Sequence, residues 1–296
     1  MSVAKSNTVA QKPHCSVAAH VLRIPAADLM QPPAYFRRKA VLDRVLGALL
    51  LLPGLPIIAC LVLLVRLTSR GPGIYQQLRV GQHGRRFMMY KIRTMSLDAE
   101  AASGPVWTQA RDPRINRVGR TLRKYHLDEL PQIINVLKGE MSLIGPRPER
   151  PEFVHVLAES IPGYLNRLAV PPGVTGLAQL NLPPDNDLDS VRRKLALDCE
   201  YIRQAGPWLD IRLLLCTFLR LVKVPESWLL SVLGLRRAVT IPAMPGGVPS
   251  GGNGNGAEHT PATPVSILIQ AAGDHSSRHE HGSKKHHRRA EGPKPR

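Results

Sequence analysis

The sequence predicts an α+β fold, mostly helical, with a re-entrant membrane helix near the N-terminal end, interfacial amphipathic helices and a cytosolic domain holding a small β-hairpin. Three observations predict it. Residues 45–65, VLGALLLLPGLPIIACLVLLV, carry no charge and match the ~20 residues that span a bilayer core. Apolar residues recur at helical spacing in several short segments between Asp112 and Val224. Ile74–Val80 and Arg86–Ile92, around Gly81 and Gly84, read as two strands joined by a turn.

The chain divides accordingly. Residues 1–34 are a mixed polar and apolar tail, expected to be disordered and without a secretory signal. Residues 35–66 are the membrane-embedded segment. Pro53, Gly54 and Pro56 sit at its middle, where each proline removes a backbone donor, so a kink or break is expected there. Arg37, Arg38, Lys39 and Arg44 precede the run; Arg66, Arg70, Arg79, Arg85 and Arg86 follow it. Positive residues mark the cytoplasmic side, and here they mark both flanks. That favours a hairpin returning to one face over a straight span.

Residues 67–224 form the cytosolic domain. After the hairpin, 98–110 read as an Ala-rich helix interrupted by Gly104-Pro105. Val118, Leu122 and Tyr125 recur at helical spacing among Arg117, Arg120, Arg123 and Lys124. Such a helix can lie on anionic headgroups or present an ordinary solvated face. Leu130, Ile133, Ile134 and Leu137 share the next helical face, ended by Gly139, with Asp128 as the expected N-cap and Pro131 near the start. Residues 140–150 read as a loop. Residues 151–168 read as a helix broken at Pro162-Gly163, 174–181 as holding a short strand, and 190–204 and 209–224 as helices. The last has a broad apolar face that could pack on the core or rest on a bilayer. Residues 225–296 are a C-terminal extension, low-complexity and basic from about 239, with too little apolar surface to offset ordering.

Composition limits the function classes. The 296 residues carry 40 Lys+Arg against 22 Asp+Glu, a formal charge of +18, so an anionic partner is expected. The four cysteines are scattered, as in reduced proteins. Aromatic residues make up only 4%, few for base stacking, and no nucleic-acid motif occurs.

Asp128 and Glu129 are the most suggestive pair for chemistry. Capping alone could explain an isolated Asp-Glu. Here Lys91, Arg93, Arg114, Arg117, Arg123 and Arg147 surround the pair in sequence, a density suited to several phosphates. Carboxylates in a phosphate-binding setting suggest Mg²⁺, with Asp128 and Glu129 as its ligands. A carboxylate can also accept a phosphoryl group as a nucleophile.

Four motifs in order, RRKAVLDRVLG from Arg37, GPGIYQQLRVGQHGRRFMMYKIRTM from Gly71, DPRINRVGRTLRKYHLDELPQIINVLKGEMSLIGPRP from Asp112 and PPGVTGLAQLN from Pro171, resemble the bacterial sugar transferases, the monotopic phosphoglycosyl transferases. The resemblance implies an enzyme at the cytoplasmic face of the bacterial inner membrane, held by a re-entrant helix broken at Pro53. It implies transfer of a hexose 1-phosphate from a UDP-sugar to polyprenyl (undecaprenyl) phosphate with release of UMP, at a first membrane step of exopolysaccharide or related glycan synthesis. Asp128 would be the nucleophile that forms a covalent phosphosugar, and Glu129 would support Mg²⁺ and deprotonation. Lys91, Arg93, Arg123 and Arg147 would hold phosphates, while Asp198 falls on a family position of uncertain role.

The chain departs from the family pattern at His126, often Ser or Thr; at Pro171, often basic; and at Leu52, before the kink proline, where some relatives have Ser. His126 could contribute a proton or be a spectator. No multi-span region precedes Arg37, which resembles the family's minimal form. The partners expected are therefore a UDP-sugar, polyprenyl phosphate and the membrane, with no nucleic acid and with homo-oligomerisation left open. The competing reading is a non-catalytic, basic, membrane-tethered module that binds nucleic acid or acidic lipid.

Overall fold

The structure is a computed structural model describing residues 24–97, 99, 112–185 and 187–239. Most of the expected N-terminal tail, almost all of the expected Ala-rich helix and the basic tail lie outside these residues. The chain runs through α1 (Tyr35–Thr68), the hairpin β1 (Ile74–Val80) and β2 (Arg86–Ile92), α2 (Arg117–Lys124), α3 (Gln132–Leu137), β3 (Ser142–Ile144), α4 (Pro151–Ser160), β4 (Gly173–Thr175), α5 (Leu177–Asn181), α6 (Leu188–Gln204), α7 (Pro207–Leu221) and α8 (Glu226–Val232). Helices dominate, and the described strands form two two-stranded sheets.

Among the described residues α1 is the one helix long and apolar enough to cross a membrane. Its 34 residues make it about 50 Å long, more than the ~30 Å hydrocarbon core. Pro53 and Pro56 lie inside it and the helix continues through both, so the expected break at Pro53 is not seen. Each proline deprives one carbonyl, that of Leu49 or Leu52, of its donor, and the bonds on either side carry the helix past the gap. Buried Lys39, Asp43, Gly47, Gly54, Ile58 and Val65 are spaced by four or seven and so keep one face. Leu49, Leu52, Leu55 and Leu63 on the other faces are exposed.

Both ends of α1 rest on the same domain. At the N-terminal end the Lys39 ammonium lies 3.2 Å from Asp43 and 2.7 Å from Asp210 of α7. Ser142 of β3 donates to Asp43 at 2.6 Å, and Tyr35 and Tyr201 donate to Asp210 at 2.9 and 3.0 Å. All of these side chains except Tyr35 are buried. Toward the other end, Val65 packs on Ile92 and Leu122, with Leu61 beside them.

β1 and β2 pair antiparallel over the residues expected, with Ile74 opposite Ile92 and Val80 opposite Arg86. Phe87 and Met89 of β2 face the core while Met88 is exposed, the alternation a half-buried strand requires. β3 and β4 form a parallel pair, Ser142 opposite Gly173 and Ile144 opposite Thr175, where a loop was expected for β3. Its residues are wholly buried, and a Cβ on Gly173 would lie 2.0 Å from the Gly145 nitrogen. Only glycine lets these backbones approach so closely.

The main core joins β2, β3, α5, α6, α7 and α8 through residues such as Ile144, Leu177, Leu197, Leu213 and Leu229. Each of these buries nearly all its side chain, about 1.5–3 kcal/mol apiece in transfer terms. α8 was not expected, and Leu229, Leu230 and Leu235 bring residues 226–235 into this core. A second cluster links α4 to Val80, Tyr164, Leu168 and Val191.

Candidate active site

The site begins at the corner between α2 and α3. Asn116 caps α2 by accepting from the Gly119 amide at 2.6 Å. Gly119 is required by proximity: a Cβ there would meet the Thr94 carbonyl oxygen at 2.2 Å. This contact sets α2 on the strand that leaves β2, and Arg123 Nε donates to Thr94 Oγ1 at 2.8 Å. His126 then takes a left-handed conformation, φ 52° and ψ 21°, uncommon for a side-chain-bearing residue. That turn is followed by a 3-10 turn, Leu127–Glu129, and by Pro131, the residue preceding α3.

This corrects the expected N-cap. Asp128 lies in the 3-10 turn and caps no helix; the backbone swings through His126 before α3 begins, so the free amides of α3 are out of its register. Asp128 is 6% exposed, and no described residue donates a hydrogen bond to its carboxylate. Burial pushes the Asp128 carboxyl above its ordinary range; Lys91, Arg123 and Arg147 pull it back in part, and the Glu129 charge adds to the rise.

Glu129 is placed differently. Its Oε1 lies 3.0 Å from Lys91 Nζ and 2.5 Å from Arg147 Nη2, and its Oε2 accepts from Arg147 Nη1 at 3.4 Å. Burial alone would raise its pKa, yet Arg147 and Lys91 overcome that and hold it well below the carboxylate range. Glu129 in turn raises Arg147. Lys91 reaches the site because it shares the core-facing side of β2 with Phe87 and Met89. Three cations, Lys91, Arg123 and Arg147, thus act on two carboxylates, an excess of one positive charge that suits a phosphate. Arg147 forms the open rim, its side chain 34% exposed.

Lys91, Arg123, Asp128, Glu129 and Arg147 come together. Arg93 does not join them: its guanidinium donates to the carbonyls of Ser69, Arg70 and Gly71 at the exit of α1. Asp198 lies elsewhere as well, ion-paired with Arg167. Arg114 pairs with Asp112, and Arg117 is exposed on α2.

Sequence reasoning missed Asn135. It accepts from the Tyr90 amide at 3.1 Å and donates to the Met88 carbonyl at 2.8 Å, so it occupies the free edge of β2 as a third strand would. A second bond from its Nδ2 reaches Glu140 at 2.7 Å. Asn135 therefore locks α3, and the turn before it, to the strand carrying Lys91. Its signal was an amide set between the apolar residues Ile134 and Val136 of the helical segment.

The chemistry of the donors can be matched to Mg²⁺. No group of three His, Cys, Asp or Glu gathers among the described residues, so an all-protein cage is absent there. Mg²⁺ commonly takes one or two carboxylates and completes its shell with waters and substrate phosphates. Asp128, whose carboxylate no described residue claims, fits that role; Glu129 is already engaged by two cations.

A family model described as bacterial sugar transferase matches residues 34–224. The chain belongs to the bacterial sugar transferase family. The matched region of this sugar transferase takes in α1, the hairpin, the Asp128-Glu129 turn and the Arg147 loop. It is 48% identical over 134 residues to a putative undecaprenyl-phosphate N-acetylgalactosaminyl 1-phosphate transferase of Bacillus subtilis, covering 45% of this chain and 74% of that one. It is 40% identical over 187 residues to the undecaprenyl-phosphate glucose phosphotransferase of Komagataeibacter xylinus, covering 62% of this chain and 35% of that one. It is also 40% identical over 179 residues to the UDP-glucose:undecaprenyl-phosphate glucose-1-phosphate transferase of Escherichia coli, covering 59% and 38%. The sugar transferase thus spans little more than a third of the latter two relatives.

Proposed function

We propose that this sugar transferase moves a hexose 1-phosphate from a UDP-sugar to undecaprenyl phosphate at the cytoplasmic face of a bacterial inner membrane, as a first step of exopolysaccharide or related glycan synthesis. The observation that carries the reading is the Asp128 carboxylate: buried, without a hydrogen-bond donor among the described residues, and in the field of Lys91, Arg123 and Arg147. The names of the relatives supply the substrate classes.

The reaction has two displacements. In the first, an Asp128 oxygen attacks the sugar-bearing phosphorus; the bond from that phosphorus to the bridging oxygen breaks, and UMP leaves with the electron pair. In the second, an oxygen of undecaprenyl phosphate attacks the same phosphorus and expels Asp128, giving undecaprenyl diphosphate hexose. Splitting the transfer lets one carboxylate serve a soluble and a lipid substrate in turn.

Phosphoryl transfer is mostly a matter of position and charge. Arg147 and Lys91 fix Glu129, and this cationic group with Arg123 meets the phosphate oxygens at the rim. Held ionised by two cations, Glu129 is a poor proton acceptor and serves better in holding Lys91 and Arg147 in place. Mg²⁺ bound through Asp128 and the diphosphate would neutralise charge on the leaving UMP.

α1 would place this site at headgroup depth. Both of its ends contact the domain; for α1 to enter and leave on one side, the continuous helix has to bend at Pro53 and Pro56. Trp208, Ile211, Leu215, Phe218 and Val222 form an exposed apolar stripe along α7 and its end, suited to lie in the same interface.

The test is UMP release from a panel of UDP-sugars by the membrane-reconstituted chain, with and without undecaprenyl phosphate and with chelator. One equivalent of UMP per enzyme is expected without the lipid, continuous turnover with it, and loss of both on adding EDTA. Asp128→Asn is expected to lose at least about a thousandfold in rate. Normal turnover by Asp128→Asn, or a full-length fold that makes glycolipid without any trappable phosphosugar adduct, would overturn the two-step reading.

A further inference from the structure

Arg147 is the cation that reaches Glu129 from across the site, and its backbone is gripped with unusual thoroughness. Gly145 donates to the Thr175 carbonyl, Gly173 to that of Pro146, and Val80 to that of Glu149, each at 2.9 Å. Pro146 and Pro148 flank Arg147 and stiffen φ on both sides. Having no amide hydrogen, they leave the carbonyls as the handles of this segment. Two arginines take them, Arg79 half-buried and Arg167 buried: Arg79 Nη1 donates to the Pro148 carbonyl at 2.9 Å, and Arg167 Nη2 to the Arg147 carbonyl at 2.8 Å.

Arg167 lies in the 3-10 turn Tyr164–Ala169 and is 4% exposed. Its Nη1 donates to the Tyr164 hydroxyl at 2.8 Å, and its Nη2 lies 2.8 Å from Asp198 Oδ2 on α6. A buried guanidinium without a counter-charge would be drawn toward solvent or toward another anion. Asp198 supplies that charge at the same nitrogen, Nη2, that donates to the Arg147 carbonyl. Ion pairs so deeply buried yield little net stability, because desolvation offsets their attraction; what they fix well is position.

We infer that Asp198 is a positioning residue: it holds Arg167, Arg167 holds the carbonyl of Arg147, and Arg147 is thereby aimed at Glu129 beside the Asp128 nucleophile. This rests on the transferase reading for its catalytic consequence, while the mechanical link from Asp198 to the 145–150 segment stands apart from it. It gives a role to Asp198, the family position whose role the sequence left uncertain. Asp198 touches neither the dyad nor, by this account, any substrate.

The test is a double-mutant cycle in the full, membrane-reconstituted chain. Asp198→Asn keeps the shape and removes the charge. Alone it is expected to lower kcat for UMP release about tenfold with KM for the UDP-sugar within about threefold, the scale of a misplaced catalytic group. Arg167→Lys, which keeps a cation but loses the planar group whose Nη2 meets both Asp198 and the Arg147 carbonyl while Nη1 holds Tyr164, is expected to do the same. In an Arg147→Ala background, Asp198→Asn is expected to cost nothing further, since the residue it acts through is gone. A merely structural role would cost the same factor in both backgrounds, and that result overturns the inference.

Hydrogen exchange provides a readout independent of activity. In Asp198→Asn the amides of 145–150 are expected to exchange about tenfold faster, with those of α1 unchanged. Unchanged exchange at 145–150 in a folded Asp198→Asn chain overturns the mechanical link. If the unaltered chain releases no UMP from any UDP-sugar, the transferase reading fails and the exchange measurement alone decides whether Asp198 positions Arg147.

Discussion

Two cations converge on Glu129 while its neighbour Asp128 keeps a carboxylate to which no described residue donates. Adjacent residues acquire opposite circumstances because the 3-10 turn sends consecutive side chains in different directions. Asp198 presents a third circumstance. Burial raises its carboxyl to about 6, and Arg167 and Lys194 offset that only in part. In an unfolded chain the same group titrates near ~3.9. The folded state therefore binds this proton more tightly, so the group's contribution to stability is complete below about pH 4 and is lost as pH rises through 6. Thermal unfolding should show it: the melting temperature of the natural chain minus that of Asp198→Asn is expected to be larger at about pH 4 than at about pH 7, by the equivalent of roughly 2–3 kcal/mol. A gap that grows with pH would mean that attraction to Arg167 outweighs burial. At this scale the sequence displayed the dyad and the basic residues around it. It could not display that Arg93 would turn to the carbonyls of 69–71, because a guanidinium serves a phosphate or a chain end equally well.

Elements were legible where one face is wet and the other dry. The hairpin was read to its observed ends: Gly81 and Gly84 mark its turn, and Phe87 and Met89 are buried with exposed Met88 between them. α3 shows the opposite case. Its apolar residues Ile133, Ile134 and Leu137 are half-buried, while Gln132 and Asn135 are fully buried. Periodicity identified the helix but misassigned its inner face, since Asn135 is drawn in by the unpaired edge of β2, a partner invisible to a local pattern. β3 escaped notice, and β4 was expected only as a short strand somewhere within 174–181, for a similar reason: each has three residues, and their pairing is parallel and distant in sequence. Asn135→Ala is expected to destabilise the chain by about 2–4 kcal/mol, because it strips bonds from the Met88 carbonyl and the Tyr90 amide at a buried edge. Asn135→Asp should recover less than half of that, since it cannot donate to Met88. Chemical unfolding monitored by circular dichroism would check both, and an Asn135→Ala chain as stable as the natural one would refute the edge-locking role.

For the whole molecule, the question is how a strongly basic chain meets a lipid surface. The apolar run and the flanking positive charges were plain in the sequence, as was an apolar face on α7. What was not plain is that α8 completes the core beside α7 and exposes Trp228 and Val232 of its own. Together with Trp208 and Phe218 these give an apolar surface on two helices. In a Trp107→Phe chain reconstituted into vesicles with brominated acyl chains, emission from Trp208 and Trp228 is expected to be quenched. Emission as bright as in unbrominated vesicles would put this surface in water. The buried knot of Lys39, Asp43, Asp210 and Ser142 carries a practical corollary. A soluble fragment begun after Thr68 would strand Asp210 without its cation, strip Ser142 of its carboxylate partner and bare the patch that Val65 covers. Removing α1 is therefore no neutral truncation: the helix is a keystone of the fold that carries the Asp128-Glu129 site.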